Sequence, residues 1–215
     1  MKIGLFGGTF NPFHNGHIDI SLHVQQAHEL EKIFFIPSAT PPHKPDTNLA
    51  CAQDRYEMVK ASLKGHKTLL VSDKELNREG PSYTIDTINA FKQEYDPGTQ
   101  FYLLMGSDAF LDITTWKAKD QLFKIVKIII MLRGDWGNTR AIASFIDENI
   151  SKGYTFNKKN EIFSHAEKQE IIICKVPKID ISSTMIREQI KQNKAISDLV
   201  PASVERIIRT KELYQ

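Results

Sequence analysis

An α/β fold built on a doubly wound, mainly parallel sheet is the architecture this sequence predicts, and three observations predict it. Short apolar runs alternate with amphipathic stretches from Ile3 onward. Two of the runs, Phe101 to Met105 and Val126 to Leu132, are almost continuously apolar, as strands covered on both faces are. Glycine- or serine-bearing segments follow three strands, at Gly7-Gly8, Pro37-Ser38 and Gly106-Ser107-Asp108. In a parallel sheet with right-handed crossovers these segments gather at the carboxyl edge, where such folds bind ligands.

Taken in order, Ile3 to Phe6 is the first strand, Gly7-Gly8 a turn, and Ile18 to Val24 the first helix. Lys32 to Ile36 is the second strand. Asp54 to Leu63 is a helix with Tyr56, Val59 and Leu63 on one face, and Thr68 to Ser72 is the third strand. Thr84 to Tyr95 carries Ile85, Ile88 and Phe91 at helical spacing. After the two buried strands, Gly134 to Gln169 is the least legible stretch, with a helix over Thr139 to Ile150 and then a polar Lys/Asn-rich segment. Ile171 to Val176 returns to strand, and Met185 to Lys191 and Val204 to Arg209 are helical. No repeat, low-complexity tract or linker divides the chain, so residues 1–215 are expected to form a single domain.

Composition bounds the function. Of 215 residues, 41% are hydrophobic, enough for a sizeable core. A net charge of +2 is too mild to argue for nucleic acid as a partner. Cys51 and Cys174 form no C-x-x-C, which speaks against a disulfide framework or zinc ribbon and for a reducing compartment. No secretory leader pattern precedes the first strand, and Ile128 to Leu132 is far too short to span a bilayer. The expectation is a soluble, cytoplasmic protein without a membrane partner. Its oligomeric state is not legible.

The chemistry concentrates in Gly7-Gly8-Thr9-Phe10-Asn11-Pro12-Phe13-His14-Asn15-Gly16-His17. It joins a strand to a helix start, where backbone N–H groups favour anions, and places two histidines three residues apart. It is not G-x-G-x-x-G, it has no G-K-[ST], and its histidines lack H-E-x-x-H spacing. His23, His28, His66 and His165 show no metal-ligand pattern either, and no protein metal site is expected. A second segment, Asp180-Ile181-Ser182-Ser183-Thr184-Met185-Ile186-Arg187, opens a helix. Its Ser and Thr residues suit an N-cap, and Arg187, one turn in, can reach the same anion as the terminal N–H groups. Pro41-Pro42-His43-Lys44, Ser82-Tyr83-Thr84, Gly106-Ser107-Asp108 and Thr115-Trp116 fall between these two. Read alone, they are a stiff loop, two helix caps and a core tryptophan.

The H-x-G-H run resembles the signature of the nucleotidylyltransferase superfamily, and Ile181 to Arg187 resembles its second signature, I-S-S-T-x-I-R. With the intervening segments in this order, the chain resembles the bacterial nicotinate-mononucleotide adenylyltransferases from Lys2 to Tyr214, with Asn11 where many members have Asp. The resemblance implies AMP transfer from ATP to nicotinate mononucleotide in NAD biosynthesis, with Mg²⁺ carried on the ATP. It implies that His14, His17 and Arg187 are catalytic. Gly7, Gly8, Thr9, Phe10, Ser182, Ser183 and Thr184 would bind the ATP phosphates. His43, Lys44, Thr84, Gly106, Asp108 and Trp116 would bind the mononucleotide, its carboxylate meeting Thr84 and backbone N–H groups near Trp116. Other readings are a superfamily member with a nicotinamide mononucleotide, phosphopantetheine or CTP-dependent acceptor, a non-catalytic nucleotide sensor, and an aminoacyl-tRNA synthetase fragment. The short, mildly charged chain argues against the last.

Overall fold

A computed structural model describes residues 1–41, 48–133 and 139–215. Among these, the strands are β1 (Lys2–Gly8), β2 (Lys32–Pro37), β3 (Leu69–Val71), β4 (Gln100–Gly106), β5 (Lys127–Arg133), β6 (Thr155–Asn157), β7 (Ile162–Ser164) and β8 (Ile171–Val176). The helices are α1 (Asn15–His28), α2 (Ala52–Ser62), α3 (Thr84–Glu94), α4 (Ser107–Leu111), α5 (Lys119–Ile125), α6 (Thr139–Asn149), α7 (Ser183–Lys191) and α8 (Ala202–Thr210), with a 3₁₀ turn at Ile113–Thr115.

The strands make one sheet in the order β3-β2-β1-β4-β5-β8-β7-β6. Pairing is parallel from β3 to β8, and β7 and β6 are added antiparallel at one edge. The winding reverses between β1 and β4, which opens a crevice beyond their carboxyl ends.

The continuous apolar runs are explained by two cores. Alternate residues of β5 face opposite layers: Ile128 and Ile130 pack with α3, α4, α5 and α6, whereas Ile129 and Met131 pack with α1, α2, α7 and α8. Ile128, Ile129 and Ile130 are each 0% exposed, and burial of such a side chain stabilises by roughly 1.5–3 kcal/mol. Cys174, buried in β8, has its thiol pushed up to about 11 by desolvation, so this cysteine is a core residue without reactivity at neutral pH. No helix among the described residues is long and apolar enough to cross a membrane.

Several expectations are corrected. Gly7 and Gly8 end β1 rather than forming the turn, which comes at Asn11-Pro12, where the peptide is cis. Helix α1 starts at Asn15, three residues before the expected Ile18. The buried face of α2 is Arg55, Met58, Val59 and Ser62, and Tyr56 is only half-buried. The stretch Ser107 to Ile125 holds three short helical pieces, and the polar segment after α6 contains the β6–β7 hairpin.

Candidate active site

The loop after β1 turns on Phe10, which adopts a left-handed conformation with φ of 49°. Its ring folds back over the strand end, and a Cβ at Gly8 would lie 2.8 Å from it, so this close approach needs glycine. His14 is the N-cap of α1 and His17 its third residue, so the pair straddles the helix start instead of sharing a helix face. The imidazole rings stack with centroids 3.6 Å apart. Phe13 also stacks on His17 at 5.1 Å, and Phe10 meets it edge-on at 5.1 Å. The backbone N–H of His14 donates to His17 Nδ1 at 3.2 Å. That bond makes Nδ1 the acceptor, so a neutral His17 carries its proton on Nε2.

The helix start is less open to anions than its sequence suggests. The Asn15 N–H donates to the Leu199 carbonyl at 3.0 Å, and the His14 N–H is taken by His17. Helix α7 is stitched to the same loop. Ser182 caps it by accepting from the Met185 N–H at 3.2 Å. The Ser183 hydroxyl donates to the Pro12 carbonyl at 2.8 Å, and Arg187 Nη1 donates to the Asn11 carbonyl at 2.8 Å. Thr184 accepts from Arg187 Nη2 at 3.4 Å. The structure therefore brings His14, His17, Ser182, Ser183, Thr184 and Arg187 to one turn, with the Ser183 hydroxyl already committed to backbone.

The side chain of Asn11 pins this turn. Its Oδ1 accepts from the Ala50 N–H at 3.1 Å and from the Tyr214 hydroxyl at 2.7 Å, and its Nδ2 donates to the Asn48 carbonyl at 3.1 Å. Aspartate could make the first two bonds but, when ionised, could not donate the third. Burial holds the Tyr214 phenol well above its usual range, so it donates as a neutral hydroxyl. Tyr214→Phe is expected to cost about 1 kcal/mol, because Asn11 Oδ1 keeps its Ala50 partner, and urea unfolding of the two proteins measures it.

Beside the loop, at the crevice between β1 and β4, lies a cavity of about 250 Å³. Of the residues expected at the site, Gly7, Gly8, Thr9, Thr84, Gly106 and Trp116 line it. Phe10 does not; it is 4% exposed and packs into the core. Asp108 is exposed in the first turn of α4 and is not its cap, which is Gly106. A Cβ at Gly106 would meet the Asp108 carboxylate at 2.3 Å, so the glycine is what lets that side chain fold back on the strand end. The Trp116 N–H closes the 3₁₀ turn onto Ile113 at 3.1 Å, which removes it from the donors expected for a substrate carboxylate. His43 and Lys44 lie outside the described residues.

Three further residues of the cavity wall were given no site role by the sequence, although Ser82 belongs to the Ser82-Tyr83-Thr84 segment. Lys117 follows Trp116 and pairs with Asp86 at 3.0 Å while lying 4.5 Å over the Tyr83 ring. Ser82 accepts from the Ala39 and Thr40 N–H groups and so ties the start of α3 to the loop after β2. Glu75 is buried, accepts from the Thr87 hydroxyl at 2.7 Å, and has its carboxyl raised above the usual range by desolvation. Lys117 stands next to a motif residue and could have been read from that adjacency. Glu75 carries no local signal.

Comparison with known proteins identifies the family and the fold. The cytidylyltransferase-like family model matches residues 5–189. A protein of Desulfatibacillum aliphaticivorans described as a probable nicotinate-nucleotide adenylyltransferase is 36% identical over 220 residues, covering all of both chains. One of the same description from Caldicellulosiruptor saccharolyticus is 36% identical over 215 residues, again covering all of both. In fold, the chain resembles the Plasmodium falciparum nicotinic acid mononucleotide adenylyltransferase complexed with NaAD, with a TM-score of 0.73 over 99% of this chain and 97% of that one, at 19% identity. A match that begins in β1 and runs through α7 spans both segments that meet at the Asn11-Pro12 turn, and the chain belongs to the cytidylyltransferase-like family, among its nicotinate-nucleotide adenylyltransferases.

Proposed function

We propose that the protein transfers AMP from ATP to nicotinate mononucleotide, giving deamido-NAD and pyrophosphate. The observation that carries this reading is the junction of two distant segments, Gly7 to His17 and Ser182 to Arg187, beside a cavity walled by Thr84 and Trp116. Its relatives' shared description supports the same substrates.

The acceptor's phosphate oxygen attacks the α-phosphorus in line, and the bond to pyrophosphate breaks. No covalent enzyme intermediate is required, so catalysis is alignment and charge stabilisation. His17 offers its Nε2–H to the charge that develops on the phosphates, while the Phe13 and His14 rings fix its plane. His14, Thr184 and Arg187 act on the same polyphosphate, and the Gly7–Thr9 backbone forms its path. Trp116 walls the pyridine ring. Thr84 and Lys117 supply donors toward its carboxylate, in place of the Trp116 N–H.

Mg²⁺ carried with ATP neutralises phosphate oxygens and the leaving pyrophosphate when bound. Among the described residues no three His, Cys, Asp or Glu gather as a cation site, and the donor set of imidazole, hydroxyl and N–H groups suits phosphate oxygens. Held with ATP, the ion would be bound through phosphate oxygens and water.

The test is a pyrophosphate-release panel of ATP or CTP against nicotinate mononucleotide, nicotinamide mononucleotide and phosphopantetheine. Release with ATP and nicotinate mononucleotide is expected; release only with another pair would reassign the acceptor. Arg187→Lys is expected to weaken pyrophosphate binding by about tenfold, since lysine keeps the charge but cannot hold the Asn11 carbonyl and reach a phosphate with one planar fork. If only the melting temperature changes, Arg187 is a brace for the turn and no more.

A further inference from the structure

Arg55, in the first turns of α2, is 0% exposed. Its guanidinium reaches three carbonyls from three separate segments: Ala50 through Nε at 2.9 Å, Thr9 through Nη1 at 2.8 Å and Ala39 through Nη2 at 3.2 Å. Among the described residues no carboxylate lies within ion-pair distance of it. The neighbouring Asp54 is turned to Lys211 at 2.5 Å. Among the described residues, every hydrogen bond of this buried cation is thus to a backbone carbonyl, and desolvation lowers the guanidinium pKa from its ordinary value.

The three carbonyls are not arbitrary. Thr9 lines the cavity, and Ala39 lies between the lining residues Ser38 and Pro41. In a trans peptide the C=O and the following N–H point in opposite directions. At Ala39 the C=O goes to Arg55 and the following Thr40 N–H goes to Ser82 Oγ at 3.3 Å. At Thr9 the same geometry turns the Phe10 N–H away from Arg55. One side chain therefore fixes the orientation of peptides in two neighbouring loops at the crevice, those after β1 and β2. It does so with a positive charge that no carboxylate among the described residues neutralises, and a buried charge is costly unless something completes it.

We propose that Arg55 is a positioning residue for the phosphate path: it holds the loop at Thr9 and the loop at Ala39 in register, and its uncompensated charge draws in the polyphosphate, which supplies the missing counter-charge. The inference deepens the adenylyl-transfer reading and rests on it.

Pyrophosphate binding by titration calorimetry tests it, with wild type, Arg55→Lys and Arg55→Gln compared from mildly acidic to alkaline pH under conditions where circular dichroism shows each folded. Arg55→Gln is expected to bind at least about tenfold more weakly at every pH, since it has lost the charge. Arg55→Lys is expected to bind near the wild-type value at low pH and to fall toward the Gln value as pH rises, because burial depresses a lysine pKa and the charge is then lost. A scaffold role alone would leave the ratio of Lys variant to wild type constant with pH, and that constancy overturns the proposal. So does wild-type affinity in Arg55→Gln. Should the Gln variant fail to fold, the pH trend of the Lys variant decides alone. If the wild-type protein itself does not bind pyrophosphate, the adenylyl-transfer reading has failed instead.

Discussion

Replacing His17 by alanine is expected to lower kcat by about 10²–10³-fold, the usual cost of deleting one pre-organised donor at developing charge. Three contacts make its imidazole pre-organised: the His14 N–H on Nδ1, the stacked Phe13 and His14 rings, and the Phe10 edge. The first of these also makes His17 a helix cap, so alanine would strip the His14 N–H of its acceptor and cost stability of about 1–3 kcal/mol if that group stays dry. His17→Gln separates the two roles. Glutamine at the third position of a helix can reach back to the cap N–H, so stability should recover while turnover stays low. Measuring kcat and the unfolding midpoint for both variants checks this. Turnover near normal in folded His17→Ala would remove the residue from the chemistry.

Nicotinate mononucleotide is expected to exceed nicotinamide mononucleotide by at least about tenfold in kcat/KM, or roughly 1.4 kcal/mol of transition-state free energy. The cavity that Trp116 lines is also lined by Thr84 and Lys117, a hydroxyl and a cation. A carboxylate satisfies such donors with charge-assisted bonds; an amide turns its own N–H groups toward them and leaves them unpaired. Trp116→Ala should reduce the selectivity, because the ring would no longer hold the pyridine against the donors. His14→Ala should leave the ratio unchanged, since it acts on phosphate that both substrates share. Steady-state kinetics with both mononucleotides measures each ratio, and equal efficiency in the wild type would refute the donor argument.

What the sequence disclosed follows from how far each signal reaches. β1, β2, β4, β5 and β8 are legible because strands buried on both faces must be apolar almost throughout. The helical pieces of Ser107 to Ile125 are five, three and seven residues long, too short for a 3.6-residue period to emerge. The β6 and β7 strands have three residues each, with only Phe156, Ile162 and Phe163 as their apolar content. At the site, motif residues were legible because glycine, histidine and a helix-opening Ser-Ser-Thr have few reasons to coincide. Arg55 was not, because a charged residue inside a helix reads as surface. Its burial depends on three carbonyls from elsewhere in the chain, and sequence spacing carries no trace of them. The order of helix start and histidines was misread for a similar reason: His17 caps His14 through its side chain, a role normally taken by Glu or Gln.

Beside the bonds from Asn48, Ala50 and Arg55, three that secure the first loop come from the far end of the sequence: Pro12 from Ser183, Asn15 from Leu199, Asn11 from Tyr214. A chain synthesised from its amino end can pair β1, β2, β3, β4 and β5 while those partners have yet to be made. Closing a loop of such length is entropically late as well as temporally late. The order of events during biogenesis is then parallel strands first and the bracing of the β1 loop by these late partners last.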